Sequence, residues 1–316
     1  MAKLEFNNIR DRAKEMAKDI TETGKDLSQK GVVKAKEGAR IISEQVAEAK
    51  YEFDKKTINP IKLEEINNPE YTMPSLLQLI EYDKKMANPV CKDALGFQEK
   101  IKDKPILCLL NKYADDLEIE FYPYKTETIY YKNPYIENMY LQLDSYFKYI
   151  EDAKVHELEQ IAQCLGAKKV KISFKEVKKS LVSNTAKKQG KIKIPFNKHS
   201  STAVSANQNS IEKEFSDIKI ASEIEFDGGK LPSEPELVYF KGDRDITTLV
   251  KMRLEPENTI KSKVYEFLCG TGKEMQQKEA ASIDFILEKK GLTGNVSIVS
   301  EVQAEQRKIL EYKIEF

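Results

Sequence analysis

Side chains that commonly hold metal ions or act in catalysis are few and scattered in this sequence. Its two histidines are His156, in an acid-rich stretch of helical character, and His199, in a serine-rich segment. Neither has a second histidine or a cysteine at the spacing of a zinc site. The sequence therefore predicts no metal site, and a structural or solvated role for both imidazoles.

One short stretch, "FLCGTGKEM" at residues 267–275, superficially resembles a phosphate-binding loop. The pattern GxxxxGK[ST] requires glycine where Phe267 stands and serine or threonine where Glu274 stands, and an acid at that place would repel a phosphate. We interpret Gly270 and Gly272 as a turn. The sequence also lacks GxSxG, GxGxxG and HExxH. These observations predict a protein without a cofactor that is not an enzyme.

Composition limits the classes of partner. The 316 residues include 52 basic and 52 acidic side chains, so no net charge draws the chain towards nucleic acid or a membrane. Attraction must come from local clusters. An apolar content of 40% with 33% charged residues is typical of a folded core that carries long, solvated helices.

The cysteines and the first residues indicate a compartment. No two cysteines form a CxxC pair, and Met1–Arg12 is mixed and charged rather than apolar. No window approaches 18 uninterrupted apolar residues. We expect a cytoplasmic protein with free thiols, peripheral at a membrane if it meets one. The cysteines are Cys91, Cys108, Cys164 and Cys269.

The N-terminal stretch repeats every eleven residues: AKEMAKDITET, GKDLSQKGVVK, AKEGARIISEQ. Eleven residues make three helical turns, so the repeat predicts a long helix over residues 5–55 with one nearly straight apolar face. That face is weak, and the helix needs a surface to lie on. Three surfaces are open: the protein's own body or a second copy, a membrane interface, or a different protein. The predicted membrane or partner face consists of Ile9, Met16, Ile20, Leu27, Ala35, Ile42 and Val46.

Residues 13–50, and "VKAKEGARIISEQVAEAK" in particular, weakly resemble the lysine-rich eleven-residue repeats of synucleins and exchangeable apolipoproteins. Stress proteins of the late-embryogenesis type share the pattern. The resemblance covers only this part of the chain. It implies a helix that binds a lipid surface reversibly.

Beyond the repeat, prolines mark a boundary, and helical and strand patterns follow. Ser75 predicts the cap of a helix that starts at Leu76. Further helices are predicted at 104–115, 138–165, 245–255 (capped by Asp245) and 281–291. Alternating residues predict strands at 117–124, 169–177, 192–196, 215–226, 236–242, 295–302 and 309–316. The order helix, glycine, strand at 138–177 and again at 281–302 suggests a duplicated α/β unit.

Nine aromatic residues cluster between Tyr122 and Tyr149. Base or sugar stacking is one interpretation. A half-buried surface whose hydroxyls reach water is the other, and it is favoured because no arginine lies between the tyrosines.

Charge is segregated later in the chain. Eleven lysines and one acid lie between Ala167 and His199, and eight acids and three lysines between Ser210 and Glu236. The basic run could bind phosphates, but it contains no arginine. Cross-strand pairing between 168–178 and 217–225 is the simpler interpretation, with Lys171 and Lys175 near Glu223 or Glu225 or their neighbours. The basic cluster comprises Lys168, Lys169, Lys171, Lys175, Lys178 and Lys179.

Together these patterns predict an α+β protein in which a long N-terminal amphipathic helix precedes a mixed body with a mainly antiparallel sheet. The predicted divisions are the repeat helix at 1–58, an α/β unit with the tyrosines at 59–180, a polar excursion at 181–214 and a second α/β unit at 215–316. The expected function is non-catalytic: self-assembly, or association with an anionic membrane surface, through the N-terminal helix. Copies of itself are the expected partners, and neither nucleic acid nor a small-molecule substrate is expected. The alternative is a pore-forming or membrane-disrupting effector that uses the 170–226 hairpin, and an enzyme of unrecognised class comes third.

Overall fold

The computed structural model describes residues 29–101, 104–177, 215–257, 259–270, 274–292 and 297–316. The chain forms an α+β protein with two sheets, one of seven strands and one of four. Its contacts divide it into two compact units, with the boundary after Lys132.

The first unit begins with helix α1 (Gln29–Ile58). The helix ends at Ile58, where the predicted repeat division 1–58 also ends. Residues 1–28 lie outside the described part. Asn59 and Pro60 follow, and Pro60 cannot continue a helix. The remaining elements are β1 (Pro60–Lys62), the short helix α2 (Leu63–Ile66), β2 (Leu76–Ile80), β3 (Ala94–Ile101), β4 (Lys104–Leu110), β5 (Glu120–Tyr122) and β6 (Thr128–Lys132), with 3₁₀ turns at Lys84–Ala87, Pro89–Cys91, Asn111–Tyr113 and Asp115–Leu117.

Five strands of this unit lie side by side in the order β1-β3-β4-β2-β6 within the seven-stranded sheet. The sheet is mixed because β2 pairs with β4 in parallel, whereas β1 with β3, β3 with β4 and β2 with β6 are antiparallel. The predicted helices at 76 and at 104–115 are therefore wrong. Both segments contain strands that are buried on two faces. Such strands have continuous apolar runs, which also satisfy the spacing expected of a buried helix. Their fully buried side chains include Leu77, Leu79, Ile106, Leu107 and Leu109.

The second unit contains β7 (Met139–Gln142), a 3₁₀ turn at Leu143–Ser145, α3 (Tyr146–Cys164), β8 (Lys169–Val177), β9 (Phe215–Glu225), α4 (Arg244–Leu254), β10 (Ser262–Leu268), α5 (Gln277–Lys290), α6 (Ile298–Glu305) and β11 (Lys308–Glu315). Its sheet has the order β10-β11-β8-β9 and is antiparallel throughout. The predicted strands at 169–177, 215–226 and 309–316 are confirmed, and the last occupies an interior position.

The core of this unit lies on one face of the four-stranded sheet. Apolar residues of β8 and β11 pack against α3 and α4, as the 2-residue alternation of strands and the 3.6-residue period of helices require. Gly166 ends the helical segment with φ +71°, and a Cβ there would lie 2.4 Å from the Lys230 carbonyl oxygen, so only glycine fits. The core includes Leu158, Ile161, Leu165, Val170, Ile172, Ile246, Leu249, Leu310, Tyr312 and Ile314.

Other predicted elements differ from the structure. The helix expected over 138–165 begins only at Tyr146. The residues expected as a strand at 236–242 form a loop with a bend and a turn at 238–242, and α4 is capped by Asp243 rather than Asp245. The segment 298–305 is a helix rather than a strand, so the suggested α/β duplication is wrong. The predicted strand at 192–196 lies outside the described residues.

Candidate functional site

The apolar face of α1 is the first predicted site. Ile42 and Val46 are only half-buried, and no side chain between residues 37 and 58 is buried. Ile41 and Tyr51 are each 44% exposed. Ile9, Met16, Ile20, Leu27 and the side chain of Ala35 lie outside the described part of the chain, so this face is seen only over its last turns.

The C-terminal end of α1 is attached to the first unit. Ile58 packs against the buried cluster of Val90, Cys91 and Ala94. The Asn88 side-chain amide donates a hydrogen bond of 3.1 Å to the Asp54 carboxylate. These contacts begin near the last two turns, and they leave the preceding turns of α1 exposed or half-buried.

Two lysines of the basic cluster pair with acids across the sheet, as predicted. Lys169 Nζ lies 2.9 Å from a Glu225 oxygen and 3.1 Å from a Glu223 oxygen, and Lys171 Nζ lies 3.6 Å from Glu223. The hydrogen bonds to Glu225 and Glu223 raise the pKa of Lys169. Hydrogen bonding to Lys169 and the charge of Lys171 lower the pKa of Glu223.

The remaining basic residues behave differently. Lys175 does not face Glu223 or Glu225, so that part of the expectation is wrong: its ammonium contacts Glu311 on β11 and lies 3.4 Å from Glu266 on β10. The stem of Lys168 lies 3.1 Å from the Cβ position of Gly228. Lys178 and Lys179 lie outside the described residues.

A buried polar network in the second unit was not predicted from the sequence. Lys154 on α3 places its Nζ 2.7 Å from a Glu274 carboxylate oxygen, and the Tyr135 hydroxyl donates to the same oxygen over 2.7 Å. The Tyr146 hydroxyl donates to the Glu274 carbonyl over 2.9 Å. Burial alone would raise the pKa of Glu274, but the charge and hydrogen bond of Lys154 outweigh it and lower the pKa. This arrangement stabilises a carboxylate in the interior.

A second charged group surrounds the start of β11. The Lys308 ammonium contacts Glu151 and lies 2.6 Å from Glu305. Burial and the nearby Glu151 together raise the pKa of Glu305 to about 8, although Lys308 acts in the opposite direction. Between this group and the Lys154 pair, the interior holds a cavity of only about 10 Å³. That volume admits one water molecule at most, so no substrate enters there.

A third buried carboxylate holds the loop before α4. Glu157, on α3, accepts hydrogen bonds from the backbone N–H groups of Val238, Tyr239 and Phe240 at 3.0, 2.6 and 3.1 Å. Residues 238–242 form a bend and a turn, so these three successive donors converge on one side chain rather than pairing with a neighbouring strand. This explains why an alternating pattern there did not produce a strand.

The residues that resembled a phosphate loop have structural roles. Gly270 passes so close to the end of α6 that a Cβ would lie 2.6 Å from the Gln306 backbone nitrogen. Glu274 is the buried partner of Lys154. Residues 271–273 lie outside the description, and the turn predicted at Gly272 with them. Burial raises the pKa of the Cys269 thiol, which therefore stays protonated.

Other candidate ligands do not converge in the described part of the chain. Within it, no group of three histidine, cysteine, aspartate or glutamate side chains could hold a metal ion. His156 is exposed on α3, and His199 lies outside the description. The aromatic cluster is divided: Tyr122 and Tyr124 are about half exposed, whereas Tyr130 and Tyr146 are fully buried and their hydroxyls donate to backbone carbonyls.

No family model matches the chain, and neither a curated protein nor a solved structure is similar to it. Over the described residues, no helix combines the length and the apolar character that crossing a bilayer would require.

Proposed function

We propose that this protein is a non-catalytic, self-assembling protein in which the α1 helices of two copies pair side by side and antiparallel. The observation that carries the proposal is the exposure of α1: over residues 37–58 no side chain is buried, although Ile42, Val46 and Phe53 share one stripe. A helix with an apolar stripe gains most of its stability by packing that stripe against another surface.

Charge along α1 selects a second copy as the occupant. Residues 30–40 carry four basic side chains and one acid, a net charge of +3, whereas residues 44–54 carry four acids and one basic side chain, a net charge of −3. In an antiparallel pair each basic half faces an acidic half. In a parallel pair like charges would meet, and the helix dipoles would also be aligned unfavourably.

Composition disfavours a lipid surface as the occupant. Residues 37–58 contain five acids and four basic side chains, and the chain contains no tryptophan. Helices that lie on anionic membranes usually have a basic polar face and large apolar anchors. We therefore do not propose a membrane as the surface that α1 contacts; vesicle binding by a monomeric protein would contradict the proposed pairing.

The pore-forming alternative for residues 170–226 is not advanced. It would require the hairpin of β8 and β9 to detach from β11, with which β8 pairs along its length. The non-catalytic part of the proposal is supported by the pairing of the buried charges with one another and by the protonated state of the Cys269 thiol.

Charge-reversal variants test the pairing. An acidic variant carries Lys34→Glu and Lys36→Glu, and a basic variant carries Glu48→Lys and Glu52→Lys. We expect each alone to have the mass of a monomer by light scattering, because both halves then repel, and an equimolar mixture to recover the dimer. Reversal of Glu255 and Glu257 to lysine, in an exposed turn after α4, changes the net charge equally and should leave the dimer intact.

A variant with all four changes tests orientation. It should pair with itself but not with the wild type, whereas parallel helices would give the opposite result. A monomeric wild type that binds phosphatidylserine vesicles would reject self-pairing and favour the membrane surface. A dimer that is insensitive to all these variants would reject α1 as the contact.

A further inference from the structure

A pocket in the second unit has the size and walls of a small-molecule site. Its volume is about 300 Å³, at the lower end of the range for ligand pockets. Two ring pairs form its sides: Tyr135 with Tyr239, whose centroids lie 4.9 Å apart, and Phe240 with Phe267 at 5.0 Å. Rings disposed in this way offer flat apolar surfaces against which another planar ring can pack.

The charged groups of the pocket wall favour an anion. Two lysines, Lys154 and Lys241, border the pocket, with one acid, Asp243. Asp243 is already occupied as the cap of α4, where it accepts from the backbone N–H groups of residues 245 and 246 at 3.0 Å. Glu274, which neutralises Lys154 from the other side, does not border the pocket.

Lys154 is the buried polar group that would orient a ligand. It is 9% exposed, and its ammonium lies 2.7 Å from Glu274 and 5.4 Å from the centre of the Tyr135 ring. An ammonium group has three donors, so it can serve Glu274 and a ligand oxygen together. A charge-assisted hydrogen bond in such a buried position is stronger than one at the surface.

The reactive groups around the pocket favour binding over chemistry. The Cys269 thiol borders the pocket, but burial raises its pKa and keeps it protonated. Burial and the hydrogen bond to Glu274 raise the pKa of the Tyr135 hydroxyl as well. Neither group is set up as a nucleophile or a base at neutral pH.

We infer that this pocket binds a small planar aromatic carboxylate, with its ring packed against Tyr239 and Phe267 and its carboxylate accepting a hydrogen bond from Lys154. This site is separate from the pairing of α1 and does not depend on it.

Three probes with the same ring and different charges test the inference: 4-fluorobenzoate, 4-fluorobenzyl alcohol and 4-fluorobenzylamine, followed by ¹⁹F NMR with the full-length chain. We expect the benzoate to bind about tenfold more tightly than the alcohol, as one charge-assisted hydrogen bond predicts, and the amine to bind most weakly.

The Lys154→Met change alone would leave Glu274 buried without its partner, so the decisive variant is Lys154→Met with Glu274→Gln, whose circular dichroism spectrum should match the wild type. In it the benzoate and the alcohol should bind within about twofold of each other. Lys251→Met, an exposed lysine on α4, should change neither affinity. Tyr239→Ala should weaken both ligands together. Equal affinity of the three probes for the wild type, absence of benzoate binding, or an undiminished benzoate preference in the double variant would each overturn the inference.

Discussion

Three ionisable side chains, Glu151, Glu305 and Lys308, meet in the interior of the second unit, where water screens charges poorly. The pKa of Glu305 is raised to about 8 from its ordinary 4.5. Burial alone would lower the pKa of Lys308, but the charges of Glu305 and Glu151 outweigh it and raise the pKa. The lysine therefore stays charged throughout the neutral range while Glu305 holds its proton.

This arrangement predicts a pH dependence of stability. The unfolded chain releases the Glu305 proton near pH 4.5 and the folded chain only near pH 8. The stabilisation is thus complete below about pH 4.5 and is lost as the pH rises to about 8. We expect the free energy of unfolding, from urea titrations, to fall across this window by up to about 5 kcal/mol, since each pKa unit corresponds to about 1.4 kcal/mol.

Glu305→Gln mimics the protonated carboxyl, so most of that fall should disappear in this variant. Glu288→Gln, an exposed change on α5, should retain the wild-type slope. Identical slopes for Glu305→Gln and the wild type would mean that Glu305 is ionised in the folded protein at neutral pH.

At the scale of elements, one carboxylate attaches a whole loop to a helix. The loop at 238–240 has three backbone donors that Glu157 accepts, and Glu157 itself is 5% exposed. Glu157→Ala leaves these donors without their partner. We expect a loss of about 2–4 kcal/mol in urea unfolding, since hydrogen bonds to a charged group are among the stronger ones. Asp152→Ala, an exposed change on the same helix, should cost less than about 0.5 kcal/mol. Similar losses for both would show that water replaces Glu157 at little cost.

Strands with one polar face were predictable from the sequence, and doubly buried ones were not. Strands β8, β9 and β11 alternate apolar and charged residues, and this pattern defines both the element and the face that points to the core. Strands β2 and β4 are apolar on both faces, so their sequences do not distinguish strand from helix.

The segment that forms helix α6 was predicted as a strand for a different reason. Its β-branched residues favour a strand, but its first N–H groups, at Ile298 and Val299, donate to Asp284 at 2.7 and 3.2 Å. That contact spans 14 residues and has no local signal.

Charge segregation predicted one strand pairing and missed a second. Opposite charges on β8 and β9 indicated that these strands are neighbours, and Lys171 lies opposite Glu223 in the register. Strand β11 lies on the other side of β8, and its Glu311 is the partner of Lys175. A lysine in an interior strand has acids on two sides, and the sequence alone does not rank them.

At the scale of the whole molecule, the candidate sites depend on contacts that sequence periodicity does not encode. Lys154 and Glu274 are 120 residues apart, and no local pattern in the sequence links them. The exposed face of α1, in contrast, was predictable from the sequence, because its eleven-residue period is visible there. The net charge of zero conceals the opposite charges of the two halves of α1, which are the basis of the proposed pairing.

The packing of α1 also determines where the chain can be cut. Removal of residues 1–50 deletes the exposed turns but retains Asp54 and Ile58, which contact Asn88, Val90 and Ala94. We therefore expect this truncated protein to be monomeric by light scattering, with a urea midpoint close to that of the wild type.

Removal of residues 1–58 should give a monomer as well, but with a loss of about 1–3 kcal/mol in the unfolding of the first unit, because the Ile58 side chain no longer covers the cluster around Val90. Comparison of the two truncations separates pairing from folding. If the shorter truncation already lowers stability, the exposed turns of α1 support the fold of a single copy. If it remains a dimer, the copies meet through another surface, and α1 has a different partner.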